Sequence, residues 1–376
     1  MRFAFHRFWA VVLKEFIQMK RDRMTFGMMA GIPLLQLTLF GFAINADPKR
    51  LPTAVVAGDQ GPFTRSFIAA MRHTEYFAFT REFPTQAEAA RALELGDAQF
   101  VVNIPEDFSR RLLRGEQPSI LVEADATDPS ATGPAIAALQ NIAQNALDRD
   151  LTGPLEKLRA GRAPIRLQVH ARYNPENITQ YNVVPGLMGV VLTMTMIIIT
   201  ALAITRERER GTMENLLATP ARPLEVMTGK ILPYILVGYV QLTLILLAAR
   251  FIFDVPMVGS LALVYAVALL FIASNLAVGI TFSTLARNQL QAVQMAFFFF
   301  LPSILLSGFM FPFRGMPEWA QWVGSCLPLT HFLRIVRGIL LKGNGLTEIA
   351  PKLWPILLFM TLAMTLALKR YRQTLD

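Results

Sequence analysis

Six long apolar stretches, at residues 24–43, 183–203, 231–249, 261–285, 292–311 and 354–368, set the terms for any fold this chain can take. A helix rises about 1.5 Å per residue, so about 20 residues cross the roughly 30 Å of bilayer hydrocarbon. Within that layer every backbone N–H and C=O must be bonded inside the chain, which helices achieve segment by segment. The expected fold is therefore an α-helical membrane protein with about six transmembrane helices. Only 17% of the 376 residues are charged and the mean hydropathy is +0.41, against about 25% charged residues in ordinary soluble domains. The first stretch follows a charged lead of 23 residues and exceeds the 7–15 residues of a cleaved signal's apolar core, so it reads as a retained anchor.

The net charge of +9 raises nucleic acid as a partner, but its distribution argues against one. Residues 47–181 carry 15 Lys/Arg against 17 Asp/Glu, and 15 of the other 21 basic residues sit in the short segments 1–23, 205–230, 286–290 and 369–376. The positive-inside bias places those segments in the cytoplasm, with both termini inside a bacterial inner membrane. The single cysteine, Cys326, allows no intrachain disulfide. His6, His73, His170 and His331 are scattered without metal-ligand spacing, and no nucleophile sits beside a base, so neither a metal site nor a catalytic residue is expected. Gly229-Lys230 lacks the remainder of a phosphate-cradling loop, so the chain is expected to bind no cofactor and to draw on energy supplied elsewhere. No charged residue falls well inside an apolar stretch, which disfavours a proton-coupled carrier.

Along the chain, residues 1–23 read as an amphipathic interfacial helix and 24–46 as the first transmembrane helix. Residues 47–181 alternate β-rich runs (53–57, 99–104, 119–123, 165–170) with helical ones (63–72, 85–95, 105–114, 131–147), the pattern of an inserted extracytoplasmic α/β domain. Thr85 and Glu88 have capping-box spacing, and Asp125 and Asp128 read as a turn and helix start rather than an acid pair. Residues 182–376 are expected to form a five-helix membrane domain with a cytoplasmic elbow at 205–230 and outer interfacial helices over 313–350. The run 329–341 is too short and too charged for a seventh span.

The elbow is the least anchor-like part. Arg206 to Arg210 alternate in sign and cannot enter hydrocarbon, at about 2.5–3.5 kcal/mol per charge. Residues 212–218 then suit a short helix with Met213, Leu216 and Leu217 on one face, and Pro220 and Pro223 force a corner. The run Glu209-Arg-Gly211-Thr212-x-Glu214-x-Leu216-Leu217-x-Thr219-Pro220, followed by Gly229-Lys230-Ile231, resembles the signature of type-2 integral membrane permeases of ATP-binding-cassette (ABC) exporters. Ile104-Pro105-Glu-Asp-Phe108, Asp125-Ala-Thr-Asp128-Pro and Pro328-Leu-Thr-His-Phe-Leu-Arg334 extend the resemblance to the subgroup with a large periplasmic insertion after the first span, of multidrug-efflux type.

The resemblance implies a permease subunit without its own ATPase site. ATP and Mg would lie on a separate ABC ATPase subunit, in two copies, docked on an elbow whose contact residues are Glu207, Glu209, Gly211, Thr212, Glu214, Leu217, Thr219 and Pro220. It further implies a second permease chain, identical or sister, among membrane lipids, while the size of the outer domain makes a periplasmic adaptor a candidate partner. Polar residues within the spans, Tyr239, Gln241, Asn275, Gln291 and Gln294, are candidates for lining a pathway, although amides and hydroxyls also bond helices to each other. The competing reading is a membrane receptor or envelope-assembly scaffold whose outer domain binds a partner. The cargo is not legible.

Overall fold

The computed structural model describes residues 48–158, 163–176, 178–209 and 223–373. The interfacial helix and the first span expected over 1–46 lie outside them.

Residues 51–172 form a five-stranded mixed sheet with helices on both faces. In chain order the elements are β1 (Leu51–Ala57), α1 (Pro62–His73), β2 (Phe77–Glu82), α2 (Gln86–Leu95), β3 (Phe100–Ile104), α3 (Phe108–Leu113), β4 (Ser119–Asp125), α4 (Pro129–Asn145) and β5 (Arg166–Arg172). The strand order is β2-β1-β3-β4-β5, parallel throughout except for the antiparallel β3–β4 pair. Alternation along the strands sorts the two faces. Leu51, Val55, Phe100, Val102 and Ile104 turn to one side, where Phe67 of α1, Phe108 of α3 and Leu139 of α4 cover them. Ala54 and Val101 turn to the other, onto Ala89, Ala92 and Leu93 of α2. The small residues on that face let α2 lie close to the sheet. Its start is fixed as its spacing requires, Thr85 Oγ1 accepting from the Glu88 N–H at 3.3 Å, and Gly96 ends it at φ +78°.

Strand β2 is absent from the sequence-based expectation. It pairs on one side only, with β1, and its last three residues are exposed, so it carries no run of buried alternate positions.

From residue 179 the chain is helical: α5 (Thr179–Glu209), α6 (Pro223–Phe251), α7 (Leu261–Leu285), α8 (Gln289–Leu306), α9 (Glu318–Cys326), α10 (Pro328–Arg337, its helix continuing to Lys342) and α11 (Leu346–Gln373). Among the described residues five segments are long and apolar enough to span a membrane: Thr179–Leu202, Pro233–Phe251, Leu261–Leu285, Gln289–Leu306 and Leu346–Lys369. The fourth ends earlier than the expected 311, because Ser307 closes α8 and Gly308 turns at φ +81°. The fifth begins eight residues before the expected 354. Glu348 and Lys352, which argued against hydrocarbon, are instead held by the sheet layer: Arg91 pairs with Glu348, and Lys352 Nζ donates to the Leu95 carbonyl at 2.9 Å.

Helices α9 and α10 meet at 84°. Arg314, just before α9, borders α2 and the sheet in one cavity, and Lys342, at the end of α10, donates to the Leu93 carbonyl of α2 at 3.1 Å. Midway, Leu329 and Phe332 pack where Gly189 of α5 has no side chain, ten residues into that helix, and Phe332 stacks on Phe271 of α7 at 4.0 Å. The pair thus enters and leaves on the side that carries the sheet. With both ends on that side it has the shape of a re-entrant hairpin, and its middle supplies a wall of the bundle.

Candidate functional site

Three parts of the membrane bundle bear on function: its polar seam, the end remote from the sheet, and the junction beneath the sheet.

The seam holds most of the residues expected to line a pathway. Thr195 of α5 donates to Gln241 Oε1 of α6 at 2.9 Å, and Tyr239 of α6 donates to the Tyr265 carbonyl of α7 at 3.3 Å, their rings 5.7 Å apart. Thr243 and the Tyr265 hydroxyl are 2.7 Å apart. Tyr239 and Gln241 therefore join α5, α6 and α7 through interhelical hydrogen bonds, each worth about 1 kcal/mol or less in a bilayer. Asn275 is fully buried on α7; its Nδ2 donates to the Phe271 carbonyl at 2.9 Å and its Oδ1 has no partner among the described residues. Gln294 Oε1 is likewise buried without a partner among them. Gln291 works locally. Its Oε1 accepts from the Arg287 N–H at 2.9 Å while Asn288 Oδ1 accepts from the Gln291 N–H at 2.8 Å, a reciprocal cap on α8.

At the end remote from the sheet, Glu209 closes α5. Its carboxylate takes two hydrogen bonds from Gln289 at the start of α8, one from the backbone N–H at 2.7 Å and one from the side-chain amide. The side-chain bond first, and the backbone bond after it, hold the Glu209 carboxyl below its usual value. A group so lowered keeps its contact at neutral pH and loses it as pH falls through the folded value. Glu207 lies two residues earlier on α5, and Gly211, Thr212, Glu214, Leu217, Thr219 and Pro220 lie outside the described residues. Of the eight elbow residues, the structure thus gives a contact for Glu209 alone. That contact shows that the elbow departs from a point fixed against a second membrane helix.

The junction beneath the sheet was not foreseen as a site. Asp125, at the end of β4, accepts from Lys342 Nζ at 2.5 Å through one oxygen and from Thr127 N–H and Oγ1 through the other. The side chains of both ion-pair partners are over nine-tenths buried. Lys342 also lies 5.1 Å above the ring of Tyr173, whose hydroxyl is pushed up to about 12 by burial and by the Asp125 charge. Asp128 heads α4, as its sequence suggests, and accepts from Asn182 Nδ2 of α5 at 3.1 Å. These links bind the sheet layer to α5, α10 and α11.

The sequence that builds this bundle has relatives among known proteins. The family model described as "ABC-2 family transporter protein" matches residues 23–369. The chain belongs to that family. It is 28% identical to the protein described as "Probable multidrug ABC transporter permease YbhR" of Escherichia coli (strain K12), over 98% of this chain and 99% of that one. It is 32% identical to "Probable multidrug ABC transporter permease YbhS" of the same strain, over 91% and 90% of the two chains. "Inner membrane transport permease YhhJ" of that strain is 29% identical over 91% and 93%. This ABC-2 protein is thus the transmembrane permease subunit of an ABC transporter, a class that works with ATP-binding subunits.

Proposed function

We propose that this permease exports an amphiphilic cargo from the inner membrane or cytoplasm, driven by two copies of a separate ATPase docked on the elbow at 205–230. The observation that carries the reading is the double hydrogen bond between Glu209 and Gln289. A segment that receives force from a partner must pass it to the bundle, and this contact joins the elbow's root on α5 to the first turn of α8. Basic residues concentrate at that end, which favours a cytoplasmic position for it. The sheet layer, attached to the opposite end, then stands outside the membrane as an inserted α/β domain, and the termini face inward.

Exposed apolar faces supply the remaining partners. Leu236 and Leu244 on α6 and Leu358, Leu362 and Leu366 on α11 are more than half exposed, which suits lipid or a second permease chain. The names of the relatives favour drug-like cargo, and the sheet layer offers a surface for a periplasmic adaptor.

Transport into inverted inner-membrane vesicles containing this chain and its ATPase tests the reading. ATP should drive accumulation of a fluorescent amphiphilic dye. Accumulation only in right-side-out vesicles would reverse the direction, and none in either would favour a receptor or scaffold.

A further inference from the structure

A cavity of about 180 Å³ lies between the sheet layer and the re-entrant hairpin. Since one water takes about 30 Å³ of liquid, it can hold a small headgroup. Five cations line it, Arg314, Arg334, Arg337, Lys342 and Lys352, against three carboxylates. Each carboxylate has a partner: Glu94 bonds Arg91 at 2.9 Å, Asp125 bonds Lys342, and Asp128 accepts from Asn182. The three arginines are in no ion pair with any described residue. Arg334 lies 4.3 Å above the Phe313 ring. Arg337 reaches the Gly308 carbonyl through Nη1 at 3.3 Å, but its Nε and Nη2 are buried without a partner among the described residues.

Arg337 thus keeps two guanidinium donors away from water without an acceptor among the described residues, which is costly, and the exposed Arg334 stands beside it in the same cavity, so an anion there would complete the arrangement. Their forked geometry matches a tetrahedral oxyanion. Two further orphans share the cavity, Gln99 Oε1 and Asn344 Oδ1, both buried acceptors that call for a donor hydrogen on the same ligand. Phe313 and Leu333 give the site an apolar wall at the mouth of the membrane bundle.

We propose that this cavity binds a phosphate ester bearing a nearby hydroxyl or ammonium group, the phosphate on Arg334 and Arg337 and the donor on Gln99 and Asn344. Its chemistry fits a phospholipid headgroup or a free phosphoester. It deepens the permease reading by placing a ligand site at the bundle's sheet end, and it stands whichever way cargo moves.

The test is binding to the purified full-length chain in a nonionic detergent, using dihexanoyl phosphatidylglycerol, glycerol 3-phosphate and neutral dihexanoylglycerol. The phosphatidylglycerol should bind, the neutral lipid should not, and Arg334→Gln/Arg337→Gln should weaken binding at least about tenfold, each charge-assisted bond contributing about that factor. Arg314→Gln, at an exposed position in the short 3-10 turn before α9, should weaken it less while leaving the fold intact. Binding of glycerol 3-phosphate as tight as that of the lipid assigns the site to free phosphoesters; tighter lipid binding assigns it to headgroups. Equal binding of the neutral lipid, binding of neither phosphate compound, or unchanged affinity in both variants overturns the proposal.

Discussion

Lys342→Met should lower the stability of the full-length protein by about 3–5 kcal/mol, seen as a large fall in the unfolding midpoint followed by tryptophan fluorescence in nanodiscs. The cause is not the loss of an attraction but the carboxylate left behind. Asp125 is under a tenth exposed, and without Lys342 its second oxygen loses the one cation within ion-pair distance among the described residues. The Thr127 bonds serve the other oxygen and do not compensate. Asp125→Leu introduced together with Lys342→Met should therefore recover most of the loss, because replacing both partners with apolar groups is often near neutral. Additive losses in the double variant would mean that the pair is not coupled. Since the pair joins β4 to the end of α10, the single variant should also expose the junction to protease.

Phe332→Ala should cost about 3 kcal/mol, the lower end of the roughly 3–5 kcal/mol for removing a buried phenylalanine. Phe332 and Phe271 are both fully buried and stack at 4.0 Å with an 8° interplanar angle, filling the contact between the re-entrant hairpin and α7. Lipid tails solvate an unpacked ring better than water does, so the transfer part of the loss shrinks in a membrane. The empty space where the ring stood still forfeits its contacts. Phe332→Leu, which refills most of that volume, should cost under about 1.5 kcal/mol. The same nanodisc unfolding measurement decides: equal losses for the two variants would show that the hairpin does not pack against α7 as described.

What the sequence made legible follows from how local each determinant is. Apolar length is local, so the five spans after residue 179 could be placed, that of α7 to the residue. Cap chemistry is local too, and Thr85 does what its spacing suggests. The entry of α11 was misplaced because Glu348 and Lys352 look incompatible with a membrane helix until Arg91 and the Leu95 carbonyl, each 257 residues away, are seen to receive them. The pairing of Asp125 with Lys342 spans 217 residues and carries no local signal. The two arginines set among apolar neighbours at 329–341 were the one available hint, and they line the cavity beneath the sheet. Glu209 was legible as an elbow residue, whereas its acceptor role toward Gln289 depends on the meeting of α5 and α8, which no spacing reveals.

The most direct test of the account is ATP hydrolysis by the chain and its ATPase subunit assembled in lipid nanodiscs, comparing wild type with Glu209→Ala/Glu214→Ala. A stable complex whose hydrolysis responds to cargo in the wild type, and loses that response in the variant while the unfolding midpoint is unchanged, is the predicted result. A complex that forms and hydrolyses ATP identically with both chains would contradict coupling through the elbow.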